Sequence, residues 1–186
     1  MTNAIKAPTG ADYERYDRVW QRVAPDACGK AVQTFADETA TVASDGTCCM
    51  GAGAEGMTGT IEGYIADELA DSAFYTAFAA KAPNNSSRAA MRTLAAAERG
   101  HARKLMAAYY LITGKYYTLT PTALDSLPSW REGLRLRYHA ETCGAMAYET
   151  SAADTTDMCL RKLFEEMSID EYSHSDKILS LLASLF

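Results

Sequence analysis

The chain has 186 residues, a mass of 20.2 kDa, 48% hydrophobic and 23% charged residues, a balance that suits one globular domain and excludes a disordered tail. Its 24 acidic residues outnumber 18 basic ones, for a net charge of -6, so there is no basic footprint for nucleic acid or for an anionic membrane. No apolar run approaches the ~18 residues of a membrane span, and the opening MTNAIKAPTG has no secretory apolar stretch, which predicts a cytoplasmic protein.

Residues 1–57 read as an N-terminal extension ahead of a helical domain over 58–186. Tyr13, Tyr16, Trp20 and Val23 recur at helical spacing and predict a short amphipathic helix that packs through its aromatic stripe. From Pro25 to Thr60 the chain is rich in Gly, Ala, Thr and Asp and reads as loop with at most one short helix. GAGAEG, from Gly51 to Gly56, matches a dinucleotide fingerprint only in letters, because no strand precedes it and Glu55 would repel a phosphate. The five cysteines, Cys28, Cys48, Cys49, Cys143 and Cys159, are odd in number and form no C-x-x-C pair. They predict reduced thiols, with Cys143 and Cys159 as small buried helical residues.

Beyond residue 57, prolines and caps divide the chain. The stretches 84–120 and 129–186 hold no proline and are dominated by helix-favouring residues, so four long helices are expected, at about 58–82, 86–113, 130–152 and 155–184. Asn85-Ser86 opens the second, Gly114 closes it, Ser129 and Glu132 form a capping box for the third, and Asp154 caps the fourth. A 28-residue helix is ~42 Å long, and the roughly 15 extended residues of GKYYTLTPTALDSLPS reach up to ~50 Å. That connection can therefore run the length of a bundle and make the second and third helices parallel.

Chemistry enters on the second and fourth helices. Glu98 and His101 form E-x-x-H, and Glu171 and His174 form it again; three residues apart lie on one helical face. A shift of 73 residues (98 to 171) superposes both motifs and also carries Glu68 onto Glu141, Tyr75 onto Tyr148, Arg88 onto Arg161 and Lys104 onto Lys177. The repeated unit is a helix hairpin with Glu and, two turns on, Tyr on its first helix, then E-x-x-H on its second. Met91, Leu94 and Leu105 place the second-helix motif on an apolar face. Four carboxylates and two imidazoles buried there are severely destabilising unless they ligate cations or are otherwise paired.

This is the ligand set of a carboxylate-bridged di-iron or di-manganese centre. Glu98 and Glu171 are expected to bridge, His101 and His174 to give each metal one nitrogen, and Glu68 and Glu141 to be terminal. Tyr75 and Tyr148 are expected to hydrogen-bond and orient the carboxylates. The donor set suits two Fe ions, with Mn or redox-silent Zn as alternatives. His139, about 200° round the helix from Glu141, should face away. Glu132, Glu149, Glu165, Glu166 and Asp170 read as a solvated face.

On YIADELADSAFYTAFA, LAAAERGHARKL, YHAETCGAMAYE and SIDEYSHSDKI, over Ile65 to Leu181, the chain resembles the rubrerythrin branch of the ferritin-like superfamily. The resemblance implies an all-α, ferritin-like four-helix bundle with one long crossover. It also implies a non-haem di-iron oxidoreductase that reduces hydrogen peroxide or dioxygen, often as a homodimer. Members commonly carry a rubredoxin domain with paired C-x-x-C motifs, which this sequence lacks, so a separate electron-donor protein is implied. They also usually place a further glutamate three residues after the terminal one of the third helix, where this chain has Gly144. Asp71 holds the matching place on the first helix and reads as a surface residue; Gly100, inside ERGH, predicts a close helix contact. Alternative readings are an iron-storing or ferroxidase protein and a metal-binding bundle without turnover.

Overall fold

The structure is a computed structural model and describes residues 49–119 and 126–186. The expected aromatic helix over Tyr13–Val23, Cys28, Cys48 and the middle of the crossover lie outside the described residues. Among the described residues four α-helices carry the fold: α1 Thr58–Phe78, α2 Asn85–Thr113, α3 Trp130–Asp154 and α4 Met158–Ala183. Short 3-10 turns flank α1, at Ala52–Met57 and Ala79–Lys81. None of the described helices is long and apolar enough to cross a membrane.

The helices start and stop for local reasons. Asn84 caps α2 by accepting a hydrogen bond from the Ser87 amide at 2.8 Å, and Gly114 ends it in the left-handed conformation, φ 66°. The capping box at α3 is half formed: Ser129 Oγ accepts from the Glu132 amide at 3.4 Å, but the Glu132 carboxylate turns away to Arg135 at 2.7 Å. The cap of α4 is Asp157 rather than Asp154. One of its oxygens accepts from the Leu160 amide at 2.8 Å and the other from the Met50 amide at 2.6 Å, so the non-local bond favours this start over one three residues earlier.

α1 packs along α2 and α3 along α4, giving two hairpins. Tyr75 reaches Glu141 while Tyr148 reaches Glu68, so α1 and α3 run antiparallel, and α2 and α3 are therefore parallel, as the crossover length allows. Two apolar clusters fill the bundle. One contains Ile61, Ile65, Leu105, Leu160, Phe164 and Met167; the other contains Phe78, Met91, Leu94, Leu134 and Ile178. On α2 the sequence passes from Met91 and Leu94 of one cluster through Glu98 and His101 to Leu105 of the other, so the acidic motif sits between two dry layers.

Three expectations are corrected here. Cys49 and Cys159 are joined in a disulfide, their Cα atoms 5.3 Å apart. The pairing joins residues 110 apart in sequence, a proximity that cysteine spacing could not disclose. Cys143 is exposed rather than buried. Among the described residues Gly100 meets nothing within 4 Å of where a Cβ would lie; the close approach is at Gly133, where a Cβ would fall 2.2 Å from Phe78 Cζ. Met50 and Ala54 are buried in the first cluster, so the packed core extends ahead of Thr58.

Candidate metal centre

Each helix contributes to one polar cluster. α1 brings Glu68, α2 brings Glu98 and His101, α3 brings Glu141, and α4 brings Glu171 and His174. All six side chains are buried, with Glu98 and Glu141 each only 1% exposed. All six residues nominated by the repeat are thus brought together.

Their atoms form two overlapping groups. Around His101 Nδ1 lie Glu171 Oε1 at 2.9 Å, Glu98 Oε2 at 3.2 Å and Glu68 Oε2 at 3.4 Å. Around His174 Nδ1 lie Glu98 Oε1 at 3.0 Å, Glu171 Oε2 at 3.4 Å and Glu141 Oε2 at 3.5 Å. Glu98 and Glu171 therefore present one oxygen to each group, whereas Glu68 and Glu141 each serve one. Within each group one ligand atom per residue lies within 4.8 Å of the others, a spacing that could hold a metal ion.

The hydrogen-bond inventory shows why these groups fit a cation. Both oxygens of Glu98, Glu171 Oε1, Glu141 Oε2 and Nδ1 of both histidines are buried without a directed hydrogen bond among the described residues. Buried polar atoms are almost always satisfied, and leaving one unpaired costs about 1–3 kcal/mol. Six such atoms turned toward each other could ligate a group that is not itself protein. Four carboxylates with two imidazoles suit two divalent ions such as iron or manganese, whose four positive charges balance the site.

Electrostatics point the same way. Burial favours neutral rings, yet the carboxylates outweigh it: Glu171, Glu68 and Glu98 around His101, and Glu141, Glu171 and Glu98 around His174, push both histidines up to about 12. Burial also pushes Glu68 and Glu171 up. Glu98 and Glu141 are held below the usual range, because their histidine partners, and Arg137 for Glu141, overcome the effect of burial. Protons and metal thus compete for the same atoms.

The tyrosines support the ligands across the hairpins rather than within them. Tyr148 donates to Glu68 Oε1 at 2.5 Å, and Tyr75 donates to Glu141 Oε1. Burial pushes both phenols well above their usual range, so they remain donors. In each terminal glutamate the Oε1 atom is committed to a tyrosine and Oε2 is left facing a histidine.

Three supporting groups, Asp170, Asp71 and Arg137, escaped the sequence reading. Asp170, expected on a solvated face, lies with Oδ2 3.2 Å from His101 Nε2, where it can fix the ring so that Nδ1 faces the carboxylates. Its position immediately before Glu171 was the available signal. Asp71, read as a surface residue, is half-buried and forked by Arg137, and burial pushes its carboxyl up to about 6 against the pull of that guanidinium. His139 is exposed, as expected. A cavity of about 390 Å³ opens between α1 and α3, walled by Ala140, Gly144 and Ala147, and reaches Glu68, Glu141 and Glu171. At ~30 Å³ per water molecule it has room for several water-sized molecules.

The family described as Rubrerythrin matches residues 62–182 of this chain. That span holds every residue of the cluster and of its hydrogen-bonded supports. No curated protein and no solved structure matches the chain.

Proposed function

The chain belongs to the rubrerythrin family, and on that premise we propose that it is a non-haem di-iron redox protein reducing hydrogen peroxide or dioxygen with electrons from a separate donor protein. The observation that carries this reading is the convergence of six orphaned buried ligand atoms on two overlapping points. Glu68, Glu98, His101 and Glu171 would hold one ion, and Glu98, Glu141, Glu171 and His174 the other. When bound, a ferrous pair supplies two electrons and the Lewis acidity that cleavage of an O–O bond requires.

The chain's own residues do the rest. Tyr75 and Tyr148 each occupy one oxygen of a terminal glutamate and so aim the other inward. Asp170 orients His101. The two apolar clusters keep bulk water from the ends of the site, and the cavity between α1 and α3 leaves one side open to a small oxidant.

Anaerobic loading with Fe(II), metal counting, and then addition of hydrogen peroxide while near-ultraviolet ferric bands are followed tests this proposal. Two irons per chain and rapid oxidation are expected. Fewer than two irons, or no rapid oxidation, would sink it.

A further inference from the structure

The 73-residue offset that superposes the ligands also places Arg137 on Tyr64, each about one turn before a terminal glutamate. The two residues behave differently. Tyr64 turns its hydroxyl to the Ala147 carbonyl at 2.9 Å and to Ser151 Oγ at 2.8 Å, away from Glu68. Arg137 reaches its glutamate: Nη2 donates to Glu141 Oε1 at 2.6 Å. Its Nε donates to the Tyr75 hydroxyl at 3.1 Å, and Tyr75 donates in turn to that same Glu141 oxygen. Asp71 completes the arrangement, accepting from Nη1 at 2.7 Å and also from Nη2.

The consequence is an unequal support of the two terminal ligands. Glu141 Oε1 carries two donors, one of them charged, whereas Glu68 Oε1 carries the Tyr148 hydroxyl. All three guanidinium nitrogens of Arg137 are committed to protein acceptors, and its side chain is only 11% exposed. It is thus spoken for as a support rather than as a group awaiting a substrate. A lysine could not reproduce the bonds, because a point charge on a flexible stem lacks the planar fork that meets Asp71, Tyr75 and Glu141 together.

We infer that Arg137, braced by Asp71, is a positioning residue for one half of the metal pair: it pins Oε1 of Glu141 so that Oε2 faces His174, and the ion held by Glu141 and His174 depends on it while the ion held by Glu68 and His101 does not. This rests on the di-metal reading above. A salt bridge that merely tied α1 to α3 would affect both ions alike.

The test is a Mn(II) titration of the full chain, read by metal analysis and by electron paramagnetic resonance, which separates isolated from coupled ions. Wild type should bind two. Arg137→Leu should weaken one ion by about tenfold or more, the scale that hydrogen-bond partners of ligands set for metal affinity, and leave the other unchanged. Added to Glu141→Ala, the same substitution should change nothing; added to Glu68→Ala, it should weaken the remaining ion. Arg137→Lys should recover part of the loss, and Tyr64→Phe should leave both ions bound. If Arg137→Leu fails to fold, Asp71→Asn/Arg137→Leu removes the unpaired carboxylate and keeps the comparison. Equal weakening of both ions, or the same effect in the two glutamate backgrounds, would overturn the inference and leave the di-metal reading standing. Failure of wild type to bind two ions would remove both.

Discussion

The α1–α2 and α3–α4 hairpins carry the same ligands in the same order, but the groups behind those ligands differ. Glu141 is backed by Tyr75 and Arg137, Glu68 by Tyr148. His101 is backed by Asp170, whose repeat-related position in the other hairpin is Ala97. Asp71 faces Arg137 from α1, while its counterpart on α3 is Gly144 and lines the cavity. A metal accepts few kinds of donor atom, and the repeated carboxylates and imidazoles are the set the proposed centre requires. A support need only bring one donor or acceptor to the right place, and any element can bring it, so beyond the repeated tyrosines the supports differ. The result is a centre symmetric in its ligands and asymmetric in its electrostatics.

The largest effect expected from disturbing this arrangement separates the shared ligands from the private ones. Glu98→Ala removes an oxygen from both groups and should abolish paired metal binding, whereas Glu68→Ala should leave one ion per chain; metal analysis after gel filtration distinguishes the two outcomes. Two metals retained in Glu98→Ala would show that the bridging assignment is wrong.

A second contrast concerns packing. Gly133→Ala, on α3, places a methyl group 2.2 Å from Phe78 Cζ, and Phe78 is itself stacked on Trp130 at 5.0 Å. Overpacking of this kind should cost about 1–3 kcal/mol. Gly100→Ala, on α2, meets open space and should stabilise by about 0.4–1 kcal/mol through the unfolded chain. Thermal unfolding of the two variants side by side tests both signs.

A third contrast is in pH. Glu68 and both histidines are raised in the folded, metal-free chain, so it binds more protons than the unfolded chain. Their stabilising contribution is complete below the unfolded values, near 4.5 for Glu and 6.5 for His, and is lost as pH rises through the folded ones. Stability in chelator should therefore decline between pH 6 and 9, while stabilisation by added Mn(II) should grow over the same range, because metal displaces protons. The two hairpins should part here as well. Glu68 is raised and Glu141 depressed, so acidification should release the ion at Glu68 and His101 first. Thermal unfolding with and without Mn(II) across pH measures the first effect, and metal retention measures the second.

Much of this was legible in the chain itself. The four helices follow from proline placement and residue preference, and their ends agree with the expected ranges within a few residues. The E-x-x-H pairs are local: two side chains three residues apart share a face in any helix. Less legible were choices between near-equivalent local signals. Asp154 and Asp157 can each cap α4, and the bond from the Met50 amide, 107 residues away, favours the second. Ser129 and Glu132 satisfy the letters of a capping box, but Arg135 lies one turn on and takes the carboxylate.

By itself, then, the sequence determined the helices, the repeat and which six side chains cluster between the two apolar layers, because each depends on spacing within one helix or on the correspondence of two. Only the tertiary structure decided that Tyr75 serves Glu141 and Tyr148 serves Glu68, that Arg137 and Asp71 brace one half, that Asp170 faces His101, and that Cys49 bonds Cys159. These partners stand 66, 80, 66, 69 and 110 residues apart. They meet because the two hairpins close face to face with α1 antiparallel to α3, a register that no periodicity within a helix encodes.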